Sequence, residues 1–167
     1  MKISTRSRYG LRALLELALH HGEGPLMMQS IADSQGVSRK YLDSIFASLK
    51  TAGLVRSRRG VGGGHLLAKD PEQIRLSEVL RALEGPLSLV DCVGDAGLCD
   101  RSHRCVTRDV WSEVGQAIDG VLESITLSDL VTKHYKKNGN AHDPENGKKP
   151  CVLNGRRGPD EDDPHAE

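Results

Sequence analysis

Aromatic side chains are nearly missing from this chain. Of 167 residues only Tyr9, Tyr41, Phe46, Trp111 and Tyr135 are aromatic, and the apolar fraction is 37%. Such a thin supply of core residues fits one compact domain with an extension, part of whose apolar surface finishes its burial in a partner subunit. Long hydrophobic runs are missing too. No stretch reaches the ~18 apolar residues of a membrane span, and no signal-like apolar segment follows Met1. The expectation is a soluble, cytoplasmic protein with no membrane partner. Net charge is missing only as a sum. Residues 1–70 hold eleven Lys/Arg against five Asp/Glu (+6), and residues 71–167 hold twelve against eighteen (−6). A basic first half suits a phosphate-facing surface, because each neutralised phosphate releases counterions.

What is present is helical periodicity. Leu11, Leu14, Leu15, Ala18 and Leu19 recur at helical spacing over 6–21, and Gly22 to Pro25 stop the pattern. A short helix over 28–35 ends at Gly36. Ser38 then caps a third helix over 39–52, whose Leu42, Ile45, Phe46 and Leu49 form one apolar face. Two strands, 54–58 and 65–68, flank Arg59-Gly60-Val61-Gly62-Gly63-Gly64. A helix over 76–84 follows. This order is that of a winged helix-turn-helix, so the fold class is mainly α with a small β-wing.

A long helix over 107–125 carries Trp111, Val114, Ile118, Val121, Leu122 and Ile125 at three- and four-residue steps. A stripe this long needs a partner surface, and a second copy supplies it more simply than packing back on the winged domain. The expected organisation is a DNA-binding domain over 1–84, a cysteine loop over 85–106, a dimerisation helix and cap over 107–135, and a disordered, charged tail over 136–167.

In a helix-turn-helix the second helix enters the major groove with its N-terminal residues aimed at base edges. Here these are Ser38, Arg39, Lys40, Tyr41, Asp43 and Ser44. Arg39 and Lys40 suit guanine edges or phosphates, and Asp43 suits a cytosine amino group. Tyr41 either donates to a phosphate or caps the core with its ring. In the wing, Arg58 and Arg59 supply charge while Gly60, Gly62 and Gly63 let the backbone approach phosphate or the minor groove. The glycine run lacks the Lys-Ser/Thr of a nucleotide-binding P-loop and opens no helix.

Three of the four cysteines fall in the spacing Cys92-x6-Cys99-x5-Cys105. Zinc ribbons, fingers and ferredoxin runs are tighter. The trio suits an iron–sulfur cluster with a non-cysteine fourth ligand, a Cys₃His zinc site, or a thiol redox sensor without metal. Nearby candidates for a fourth ligand are Asp91, Asp95, Asp100 and His103, none compelling. Arg101, Arg104 and Arg108 favour thiolates. Cys151, in the tail, is incidental. No His/Asp arrangement at motif spacing supports a cysteine enzyme.

Together the motifs resemble the IscR/NsrR/RirA-type family of winged helix-turn-helix iron–sulfur regulators over residues 1 to about 135. They are Ser4-x-Arg-x-Arg-Tyr-Gly, Val37-Ser-x-x-Tyr-Leu, Gly53-Leu-Val-x-Ser-x-Arg-Gly-x-Gly-Gly-Gly with Leu66-Leu, Cys105-x-Thr-x-x-x-Trp111 and Ile125-Thr-Leu-x-x-Leu. The pattern is closest to IscR. The resemblance implies a homodimeric repressor, a palindromic double-stranded DNA operator and a cluster, 2Fe–2S or 4Fe–4S, bound by Cys92, Cys99 and Cys105. It also implies a fourth ligand that this chain lacks. IscR-like members place a His three residues after the last cysteine, where this sequence has Arg108. NsrR-like members use an Asp of the partner near position 8, where it has Arg8. The rival expectations are a cluster-free regulator controlled by a partner protein or by thiol oxidation, and a zinc-site regulator.

Overall fold

The computed structural model describes residues 3–138. The element order is α1 (Thr5–Leu19), α2 (Met28–Gln35), α3 (Arg39–Thr51), β1 (Val55–Arg58), β2 (Gly64–Leu67), α4 (Leu76–Glu84), α5 (Asp91–Gly94), α6 (Val106–Ser124) and α7 (Leu127–Lys137). The fold is mainly helical, with one antiparallel pair of strands in register Val55 to Leu67 through Arg58 to Gly64. The tail expected from residue 136 begins later than that, because Lys136 and Lys137 continue α7 to its C-cap Asn138; residues 139–167, Cys151 among them, lie outside the described residues.

Helix boundaries follow local chemistry. Ser4 accepts a hydrogen bond from the Ser7 N–H, which starts α1 one residue before the periodic stripe. Ser38 does the same for Tyr41 at the head of α3. At the end of α3, Gly53 sits at φ +69°, its N–H donates to the Lys50 carbonyl, and the Leu54 N–H donates to the Leu49 carbonyl. That paired arrangement needs a left-handed residue and buries Leu54 as it closes.

The core gathers the inner faces of α1 to α4. Leu14, Ile31, Leu42, Ile45, Phe46, Leu49, Ile74 and Val79 have no exposed surface. Helices α1 and α4 cross closely at Gly10, where an added Cβ would lie 2.4 Å from a Leu83 methyl. Two connections appear that periodicity does not reveal. Leu26 pairs with His65 through two backbone hydrogen bonds of 2.8 and 2.9 Å, adding a one-residue third strand to the wing. The chain also returns to the core after α6. Leu127 is fully buried there, and the Leu127 and Leu76 N–H groups donate to the Ile74 and Ile125 carbonyls. A box between Thr126 and Asp129 caps α7, which runs eleven residues.

The segment expected to be irregular holds three single turns, α5 and 3₁₀ turns at Ala96–Leu98 and Ser102–Arg104. Turns this short have no period to read. None of the described helices is long and apolar enough to cross a membrane.

Candidate nucleic-acid interface and cysteine loop

Ser38, Arg39, Lys40, Asp43 and Ser44 are exposed on one side of α3, opposite the buried Leu42, Ile45, Phe46 and Leu49. Arg39 and Asp43 lie 3.9 Å apart across one turn, a solvent-exposed pair of small net worth that opens readily to a ligand. The Tyr41 ring leans on the core edge, 6.1 Å from the Tyr9 ring at 87°, and its hydroxyl donates to Thr5 Oγ1 at 3.3 Å. Arg6, on α1, donates to the Ser44 carbonyl (3.0 Å) and to Ser48 Oγ (2.7 Å). The first turn of α1 therefore braces the start of α3.

The wing is shaped by its glycines. Gly60 and Gly62 have φ of +98° and +70°, where an L side chain is strained. A Cβ at Gly64 would fall 2.3 Å from the Leu26 carbonyl oxygen. Arg58 and Arg59 are exposed, and the Arg58 guanidinium folds back to donate to the Gly62 carbonyl at 3.3 Å. Behind the wing His65 stacks edge-on against Phe46 at 4.9 Å, with Nδ1 3.3 Å from Ser57 Oγ. Burial holds its pKa below the ordinary value, helped by the Lys50 charge and opposed by Asp43.

Cys92, Cys99 and Cys105 are free thiols, each half-buried. Cys105 is the N-cap residue of α6, with Sγ 3.1 Å from Thr107 Oγ1. Hydrogen bonding from Thr107 and the Arg108 backbone lowers its pKa. Three soft thiol donors fit thiolate ligation of iron or zinc. Among the described residues, however, no group of three or more His, Cys, Asp or Glu side chains is gathered closely enough to hold a metal ion. Asp91, Asp95, Asp100 and His103 are all exposed, and Asp95 accepts from the Gly97 N–H at 2.8 Å. Arg108 donates to the Cys92 carbonyl at 2.8 Å, so it latches the loop to α6. Arg8 lies 5.5 Å over the Tyr9 ring.

A family model, Rrf2, described as iron-dependent transcriptional regulator, matches residues 3–133. The chain belongs to the Rrf2 family. It is 39% identical over 131 residues to the regulator IscR of Serratia proteamaculans (strain 568), covering 78% of this chain and 79% of that one. Among solved structures, CymR, the global cysteine regulator of B. subtilis, aligns with TM-score 0.68 and 40% identity over 80% of this chain and 98% of that one. T. potens IscR aligns with TM-score 0.68 and 39% identity over 82% and 90%. These relatives are named as regulators rather than enzymes, and this chain is a winged-helix, DNA-binding transcriptional regulator.

Proposed function

We propose that this Rrf2-family regulator is a cytoplasmic, homodimeric repressor whose grip on a palindromic double-stranded DNA operator is set by an iron–sulfur cluster, 2Fe–2S or 4Fe–4S, held by Cys92, Cys99 and Cys105. The observation that carries this reading is the position of the cysteine loop. It is the covalent link between α4, packed in the reading head, and α6, whose outer face is left uncovered by the described residues. The proposed division is a reading head over 1–84, a cysteine loop from 85 to the start of α6, and a dimerisation helix and cap through α7.

On DNA, Ser38, Arg39, Lys40, Tyr41, Asp43 and Ser44 address the major groove, and Arg58, Arg59, Gly60, Gly62 and Gly63 address the backbone and minor groove. Helix α6 pairs with α6 of a second copy along Val106, Val110, Val114 and Val121, which are four, four and seven residues apart and so share a stripe. Cys92, Cys99 and Cys105 would hold the cluster, and ligation by all three would fix the loop between its neighbours. The loop's own latch (Arg108 to Cys92) and the Ser77–Glu123 and Arg81–Asp119 contacts between α4 and α6 then set the angle between the two reading heads. A differential of ~1–3 kcal/mol between loop states is enough to regulate strongly.

A second reading is favoured by one observation. Cys105 sits at the head of α6 with Sγ 3.1 Å from Thr107 Oγ1, and this hydrogen bonding, which lowers its pKa, suits direct thiol oxidation without a cluster. Anaerobic purification with iron and sulfide quantitation and a visible spectrum separates the two. The cluster reading expects iron and sulfide with visible absorbance in the native chain and a colourless Cys99→Ala variant. A native chain that is free of iron and sulfide yet binds DNA overturns it.

A further inference from the structure

At the tip of the wing stands an apolar side chain that no described residue covers. Val61 is fully exposed, and five of the other large exposed apolar side chains among the described residues lie together on α6, on the face proposed to meet a second copy. The turn that carries Val61 is closed by a hydrogen bond from the Gly63 N–H to the Gly60 carbonyl (2.9 Å) and clasped by Arg58 on the Gly62 carbonyl. Its neighbours do not readily take side chains. Positions 60 and 62 are left-handed, and a Cβ at Gly63 would lie 2.4 Å from the Arg58 carbonyl oxygen. The tip is thus bare peptide bearing one branched, wholly apolar side chain, narrow enough for a groove of about 6 Å.

We infer that Val61 is a specificity-determining residue that makes the wing select A·T over G·C base pairs in the minor groove. The inference rests on the wing's proposed place in that groove. An A·T pair shows the groove only the acceptors N3 and O2, whereas G·C adds the guanine 2-amino donor. Valine methyls pressed onto that amino group displace its water and offer no acceptor, leaving a buried donor unpaired. Over A·T the same methyls meet a flatter floor, and the narrower groove deepens the negative potential that draws Arg59.

The test uses a duplex selected by the full-length chain from a randomised pool of about 30 base pairs. Each A·T pair is replaced in turn by G·C, by inosine·C, which keeps the G·C major groove without the 2-amino group, and by diaminopurine·T, which adds that group to A·T. Fluorescence anisotropy reads affinity. At the pair under the wing, G·C and diaminopurine·T weaken binding about five- to tenfold and inosine·C leaves it unchanged. Val61→Thr, of equal shape but with an acceptor hydroxyl, reduces the penalty to less than about twofold. An inosine·C penalty equal to that of G·C, or a full penalty retained in Val61→Thr, overturns the inference. Arg59→Ala separates this from failure of the wing reading. Unchanged affinity and salt slope in that variant would remove the wing from DNA altogether. A loss of about tenfold, with the slope reduced by about one, keeps it there and leaves Val61 to be judged alone.

Discussion

In the reading head Leu14, Ile31, Leu42, Ile45 and Phe46 expose no surface, whereas α6, nineteen residues long, has no buried residue at all. Both segments carry a regular apolar stripe. In the head, four helices and the returning Leu127 face one another, so each stripe meets its complement within the same chain. Along α6 the inner strip reaches α4, and the outer valines are left exposed by the described residues. The cysteine loop shares that incompleteness, with three half-buried thiols that, among the described residues, are not gathered into a ligand set. Periodicity thus identifies a face that needs covering; only its surroundings say whether the chain itself supplies the cover.

The contrast is broken most directly on α6. Val114→Glu places a carboxylate in the middle of the valine strip and is expected to leave the helical circular dichroism intact while converting dimer to monomer in sedimentation. Operator affinity should fall by about two to four orders of magnitude, because two linked heads become two independent ones. A variant that stays dimeric would move the interface off α6. In the head the expected effect is opposite in kind. Phe46→Ala removes a fully buried ring that supports both α3 and His65, and should cost about 3–5 kcal/mol in urea unfolding. Loss of affinity in that variant should follow the unfolded fraction. If Val114→Glu unfolded the chain and Phe46→Ala merely dissociated it, the division between a closed head and an open helix would be wrong.

The same contrast explains what could be read from the sequence. Helices α1 to α4 were legible because each buries one face, and burial of a face writes a period into the residues. The wing was legible because its glycines and arginines are an unusual pair. The parts played by Leu26, Val61 and the Arg108 latch were not. Leu26 joins the wing through a single backbone pair, Val61 is one apolar residue among glycines, and Arg108 acts through its guanidinium on a carbonyl sixteen residues away. Tyr41 was legible as a choice between two roles. Its ring packs as a core cap, while its hydroxyl stays at the rim of the proposed DNA-facing surface. The cysteines were legible as donors but not as a formed site, since bringing three thiols together is work that a ligand shares with the loop.

The smallest expected effect probes where head and wing meet. His65 is held between Phe46 and Ser57, and its backbone carries the pairing with Leu26. Its folded pKa lies below the ordinary 6.5, so the unfolded chain takes up a proton at a pH where the folded chain does not. Stability from this group is therefore complete above about pH 6.5 and lost as pH falls through the lower, folded value. Glu84 and Asp129 also have lowered pKa values, but as carboxylates their losses come at more acid pH. His65→Phe keeps the ring on Phe46 and removes the titration. Its melting temperature should vary less between pH 7 and pH 5 than that of the native chain, with little difference above pH 7. An identical slope in the two proteins would mean that His65 takes up its proton without leaving Phe46, and that the base of the wing is looser than the core it rests on.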